Sequence, residues 1–132
     1  MKAAAKRKVL SLVAGFTTSF VAGTALAHHS LAGEFDTSQT FELHGAITKV
    51  EWTNPHIYIY VDMVDKGQTV HWQCEMGSPN QLIRQGSKKT DLPVGTVIRA
   101  QANPARDGSK TCSTRKITLD DGKPVFTRTG AY

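Results

Sequence analysis

The stretch Glu51-Trp52-Thr53-Asn54-Pro55-His56-Ile57-Tyr58-Ile59-Tyr60-Val61-Asp62 decides how the chain is read. From His56 to Val64 it alternates. Ile57, Ile59, Val61 and Met63 fall on one side; His56, Tyr58, Tyr60 and Asp62 fall on the other. Side chains of a strand alternate with period two, so this is a half-buried strand. Lys66-Gly67 makes a two-residue hairpin loop, with Gly67 free to take positive φ. Thr69 to Met76 is then the partner strand, with Val70, Trp72, Cys74 and Met76 as its apolar set. A two-residue loop pairs Val61 with Trp72, Ile59 with Cys74 and Ile57 with Met76, so both apolar sets share one face. On the other face the same register sets Asp62 against His71 and Tyr58 against Glu75.

Working back, Phe41 to Trp52 is the first strand. Phe41, Leu43 and Ile47 have one parity, Val50 and Trp52 the other. A strand changes faces only through an irregularity, so a β-bulge is expected between Ile47 and Val50, and Gly45 suits a sharp bend. Pro55 lacks a backbone donor and keeps Asn54 out of helical dihedrals, which forces a turn at Thr53-Asn54-Pro55. Working forward, Ser78, Pro79 and Gln81 are an N-cap, a first helical position and a capping box. Leu82 and Ile83 give that short helix something to bury, and Gly86 stops it. Thr96 to Ala102 is a fourth strand, Thr111 to Leu119 a fifth, and Pro124 to Thr127 a sixth. The expectation is an all-β fold: a small OB-like β-barrel of five to six strands with one short helix after the third. A small β-sandwich with the same hairpins is the alternative.

The N-terminus reads differently. Lys2, Lys6, Arg7 and Lys8 precede an uncharged apolar run from Val9 to Val21, and Ala25-Leu26-Ala27 has the small-x-small spacing of a cleavage site. Residues 1–27 are therefore expected to be a cleaved signal peptide. The run is short for a membrane span, so the mature chain is not expected to span one. Residues 28–132 are expected to be a single barrel domain with an N-terminal arm over 28–40, from which Leu31 and Phe35 can dock. The simplest destination is the periplasm, with secretion as the variant. Cleavage removes four of the sixteen basic residues and none of the eleven acidic ones, leaving a mature charge of +1 with neutral histidines. The basicity belongs to the targeting segment, so nucleic acid is excluded as an expected partner. Cys74 and Cys112 are an even pair in an oxidising compartment, which favours a disulfide. Two buried thiols, or a redox or metal pair, are the alternatives.

Several elements resemble a family of small exported bacterial proteins known as a domain of unknown function. They are Ala27-His28-His29-Ser30-Leu31, the run from Gly45 to His56, Trp72-x-x-Glu75, Ser78-Pro79-Asn80-x-Leu82 and Asp107-Gly108-Ser109. The resemblance covers essentially the whole mature chain. It implies a periplasmic or secreted β-barrel domain and brings no activity with it. Two departures stand out. The family usually has Gly-Trp where this chain has Gly86-Ser87, and the two cysteines lie outside the family pattern.

Candidate chemistry centres on histidine. Cleavage after Ala27 gives His28 a free α-amine beside its imidazole, and His29 adds an imidazole and an amide nitrogen. Such a nitrogen-rich set favours Cu(II), and His56 completes it if the arm folds back. The metal set is thus His28, His29 and His56, with copper or another transition metal as the cofactor. The competing reading, without metal, is an envelope ligand-binding or assembly module. It uses an outer face of Trp52, Tyr58, Tyr60, His71 and Glu75, because aromatic side chains on an OB-like sheet make a stacking platform. Asp62 and His71 can pair as carboxylate and imidazole, but no nucleophile signature accompanies them, so no catalytic residue is assigned.

Overall fold

Six strands carry the computed structural model, which describes residues 31–129. They are β1 (Phe41–Glu51), β2 (Tyr58–Asp65), β3 (Gln68–Glu75), β4 (Val97–Pro104), β5 (Thr111–Leu119) and β6 (Pro124–Thr127). Their hydrogen-bonded order is β3-β2-β1-β4-β5-β6, and a parallel pairing of β3 with β5 closes the first five into a barrel. β6 is an extra strand on β5. This is the OB-type connectivity the hydrophobic pattern predicts.

Barrel closure needs a first strand long and bent enough to serve two neighbours. Phe41 to Ala46 pairs with β4, and Ala46 to Glu51 pairs with β2. The register slips between Ile47 and Lys49, where the change of parity places a bulge. Gly45 marks the tightest point of the bend: a Cβ there would collide with the Asp62 carbonyl. The β2–β3 hairpin has the register read from the sequence, with Tyr58 opposite Glu75, Ile59 opposite Cys74, Val61 opposite Trp72 and Asp62 opposite His71. Lys66 and Gly67 both take positive φ, +49° and +80°, as a two-residue hairpin turn requires. Regular β2 starts at Tyr58 rather than His56. Asn54–Pro55 is cis, and the pairing tails off irregularly through Ile57, whose N–H donates to Gly77 O and whose carbonyl accepts from Met76 N–H.

The barrel is filled by Leu43, Ile47, Ile57, Ile59, Val61, Cys74, Met76, Ile98, Ile117 and Phe126, all buried. A short helix, α2 (Pro79–Arg84), adds Leu82 to that core. Ser78 caps it by accepting from Gln81 N–H at 3.3 Å. The Gln81 side-chain amide donates to the Thr129 carbonyl at 3.5 Å, tying the helix to the C-terminal segment. Cys74 and Cys112 are disulfide-bonded, with Cα atoms 4.7 Å apart, and stand opposite each other in the β3–β5 pairing. The bond therefore crosses the seam that closes the barrel.

The arm contains a single helical turn, α1 (Leu31–Glu34), which the sequence pattern does not announce. Phe35 follows it, fully buried and bridged to Ala105. Asp36 N–H donates to Pro104 O at 2.8 Å, and Arg106 N–H donates to Glu34 O at 3.0 Å. The Asn103 side chain donates to Gln39 O. These contacts lay the arm across the end of β4. Among the described residues, no helix is long and apolar enough to cross a membrane.

Candidate functional site

The register brings one polar row around the outside of the barrel. Glu51 of β1 pairs with Tyr58 of β2, Tyr58 with Glu75 of β3, Glu75 with Ser113 of β5, and Ser113 with Asn103 of β4. Strand parity points all of these side chains away from the core. Yet Glu75, Ser113 and Asn103 are buried. The arm explains part of this, since Phe35, Asp36 and Gln39 pack over the β4 end of the row. Ser113 Oγ is buried without a hydrogen-bond partner among the described residues.

At the other end of the row, the turn forced by Pro55 delivers His56 onto Glu75. The His56 Nδ1 atom lies 2.7 Å from Glu75 Oε1. The Tyr58 hydroxyl donates to Glu75 Oε2 at 3.3 Å. The Glu75 side chain is only 7% exposed and that of His56 39%. Burial raises the Glu75 carboxyl above the ordinary range; the His56 imidazole pulls it back, and Glu34 of the arm raises it further. Burial, followed by the nearby Glu75 carboxylate, pushes the Tyr58 phenol up to about 12. The carboxylate thus fixes the imidazole through Nδ1 and leaves Nε2 as the ring nitrogen turned away from Glu75. Buried carboxylates orient metal-binding histidines in this way.

Further along the same hairpin, a cleft of about 480 Å³ opens over Tyr60, Trp72, Asp62 and His71. Lys49 Nζ stands 4.9 Å from the Tyr60 ring centroid, and Lys110 Nζ 5.2 Å from that of Trp72. Tyr60 donates its hydroxyl to Glu51, which also pairs with Lys49. Glu51 is held below its ordinary value by Lys49 and Tyr60. His71 Nδ1 lies 2.6 Å from Asp62 Oδ1, and the His71 side chain is 78% exposed.

The expected outer platform therefore splits. His56, Tyr58 and Glu75 come together at the end of the barrel, and Tyr60 and His71 come together in the cleft. Trp52 joins neither group; it is part-buried against the core. His28 and His29 lie outside the described residues. Sequence reasoning passed over Lys49, Lys110 and Glu34, which sit at these places. It also assigned Trp72 wholly to the core, whereas the residue is part-buried and contributes to the cleft lining. Lys49 stands directly opposite Tyr60 in the β1–β2 pairing, a register that cannot be counted across the irregular Thr53-Asn54-Pro55 turn. Among the described residues, no three His, Cys, Asp or Glu side chains form a metal-holding group.

A closed five-stranded OB-type barrel with an outer polar row defines the class of this domain. The chain belongs to the family of unknown function DUF6152, whose model matches residues 17–114. No curated protein matches the chain. Solved structures similar to it include the mitochondrial single-stranded DNA binding protein Rim1 from S. cerevisiae. Its Form2 crystal is 13% identical, covering 62% of this chain and 93% of that one, with a TM-score of 0.49. Its Form1 crystal is 15% identical, covering 62% and 92%, with a TM-score of 0.45. The exclusion of nucleic acid drawn from the mature charge is therefore corrected. Proteins similar to this chain are single-stranded DNA binding proteins, and a net charge near zero does not exclude a local contact surface. At such low identity and TM-score the likeness assigns no partner.

Proposed function

We propose that the chain is exported, cleaved after Ala27, and binds a transition metal, with copper as the best fit, at the junction of the N-terminal arm and the barrel. His28 supplies its amine and imidazole, His29 its imidazole and amide, and His56 its Nε2. Glu75 does not coordinate; it orients His56. The observation that carries this reading is the 2.7 Å contact between His56 Nδ1 and buried Glu75 Oε1. The arm enters at the same place. Glu34 is close enough to raise the titration of both Glu75 and Tyr58. His28 lies three residues before Leu31, so its Cα is within about 11 Å of the start of α1.

The test compares the mature protein beginning at His28 with a form carrying one extra residue before it. Each is titrated with Cu(II) and followed by EPR. The expected result is tight binding by the true N-terminus, loss on extension, and weakening in His56→Ala. Equal, weak binding by both forms removes the proposal. Intact mass of the exported protein, expected to correspond to residues 28–132, checks the cleavage. A second reading, an envelope ligand-binding module without metal, is favoured by the cleft at Tyr60 and His71.

A further inference from the structure

The cleft has its own recognition chemistry, separate from the histidine at the end of the barrel. We infer that it binds a small ring-bearing organic acid that also carries a hydroxyl, either an aromatic hydroxy acid or a sugar acid. The inference rests on the ligand-module reading and narrows it to a ligand class.

Three features of the cleft select this chemistry. Its lining includes two aromatic residues, Trp72 and Tyr60. The Trp72 ring is braced by Phe41, with centroids 4.8 Å apart and planes at 37°, so it is held in place before a ligand arrives. A braced ring beside open space is a stacking surface for a flat face. The second feature is cationic. Lys49 and Lys110 both stand over ring faces, where the π quadrupole attracts an ammonium group. Lys49 is already paired with Glu51. Lys110 has no carboxylate partner among the described residues, so it is the cation an incoming acid meets. The third feature is an acceptor. Asp62 gives one oxygen to His71 and keeps a second for a hydroxyl donor. Thr48, Gln73 and Thr111 line the remaining wall with polar groups that suit a hydroxylated ring. The volume, about 480 Å³, lies within the range of small-molecule sites.

Trp52 and Trp72 are the two tryptophans of the chain, so Trp52→Phe leaves Trp72 as the sole indole reporter. The mature protein carrying that change is titrated with 4-hydroxybenzoate and with galacturonate. The uncharged counterparts, 4-hydroxybenzyl alcohol and galactose, are run beside them. Amide NMR shifts at Tyr60, Trp72 and Lys110 of the unaltered protein give a readout independent of the substitution. The expected result is saturable binding of one acid, with a dissociation constant of about 1 mM or below. Lys110→Gln should weaken it about tenfold, and His56→Ala should leave it unchanged. Which acid binds separates the aromatic source from the sugar source. If a neutral counterpart binds as well as its acid and Lys110→Gln has no effect, the acid class is overturned while the ligand-module reading stands. If none of the four compounds produces saturable fluorescence or amide changes, both are overturned.

Discussion

Replacing Cys74 and Cys112 together by alanine tests what holds the barrel closed. The two cysteines are 38 residues apart in sequence. Removing a cross-link over a loop of that length returns about 4 kcal/mol of chain entropy to the unfolded state. The seam it spans is short: β3 and β5 register only at Gln73–Thr111, Cys74–Cys112 and Glu75–Ser113. The β2–β3 pairing, by contrast, runs from Tyr58–Glu75 to Asp65–Gln68. A domain of this size is typically stable by about 5–15 kcal/mol, so the loss is a large share of the total. The corresponding fall in Tm is roughly 15–30 °C. Urea unfolding of the mature protein, followed by far-UV circular dichroism, measures it for the oxidised form, the form refolded after reduction, and the double variant. Hydrogen exchange adds a local readout, because the Gln73 amide donates across the seam to Lys110 O at 2.9 Å. That amide should show the largest relative loss of protection. A stability loss below about 1 kcal/mol, far under the loop-closure value, with Gln73 still protected, would refute this reasoning and leave side-chain packing as what closes the barrel.

Three further outcomes are expected. Glu75→Gln should lower Cu(II) affinity about 10- to 100-fold without abolishing binding, because an orienting partner is weakened and no ligand is removed; affinity equal to the parent's would show that Glu75 does not position His56. The Tyr58 phenol, ordinarily near 10, is held to about 12 in the fold. The folded state therefore keeps a proton that the unfolded state loses, and stability should fall as pH rises from 10 toward 12. Near-ultraviolet phenolate titration checks this, and Tyr58→Phe should remove both the late component and its share of the slope. Gly45→Ala forces a methyl onto the Asp62 carbonyl and should cost about 1–3 kcal/mol in thermal unfolding; an unchanged Tm would mean that β1 can bend without close approach to β2.

The fold was legible because its signals are local. The alternation of Ile57, Ile59 and Val61 against Val70, Trp72 and Cys74, joined by a two-residue turn, fixes a register that needs no tertiary information. The parity break between Ile47 and Val50 likewise marks the bulge that lets β1 serve two neighbours. The disulfide was legible from the cysteine count and the expected compartment, although its place on the β3–β5 seam was not. The parallel β3–β5 pairing joins segments almost forty residues apart, and nothing in either strand names the other. The one-turn α1 is equally silent, since its length is below what periodicity can report.

The candidate site shows the same limit more sharply. Parity assigns Tyr58, Tyr60, Asp62, His71 and Glu75 alike to the outer face of the hairpin, and in direction that is right. Accessibility is a different property. Along this one face the side chain goes from 7% exposed at Glu75 to 78% at His71. The hairpin itself does not set that gradient. At one end His56, returned by the Pro55 turn, lies on Glu75, and Ser113 stands opposite it across the seam. At the other end the hairpin stands clear of such cover, and the loop before β5 brings Lys110 over Trp72. One periodic strand pair thus yields two chemically different places: a screened carboxylate that holds an imidazole, and an open aromatic cleft edged by a cation. What separates them is contact from segments remote in sequence. The choice between metal and organic acid therefore rests on the arm and on the loop before β5, where His28→Ala and Lys110→Gln each change one site and leave the other intact.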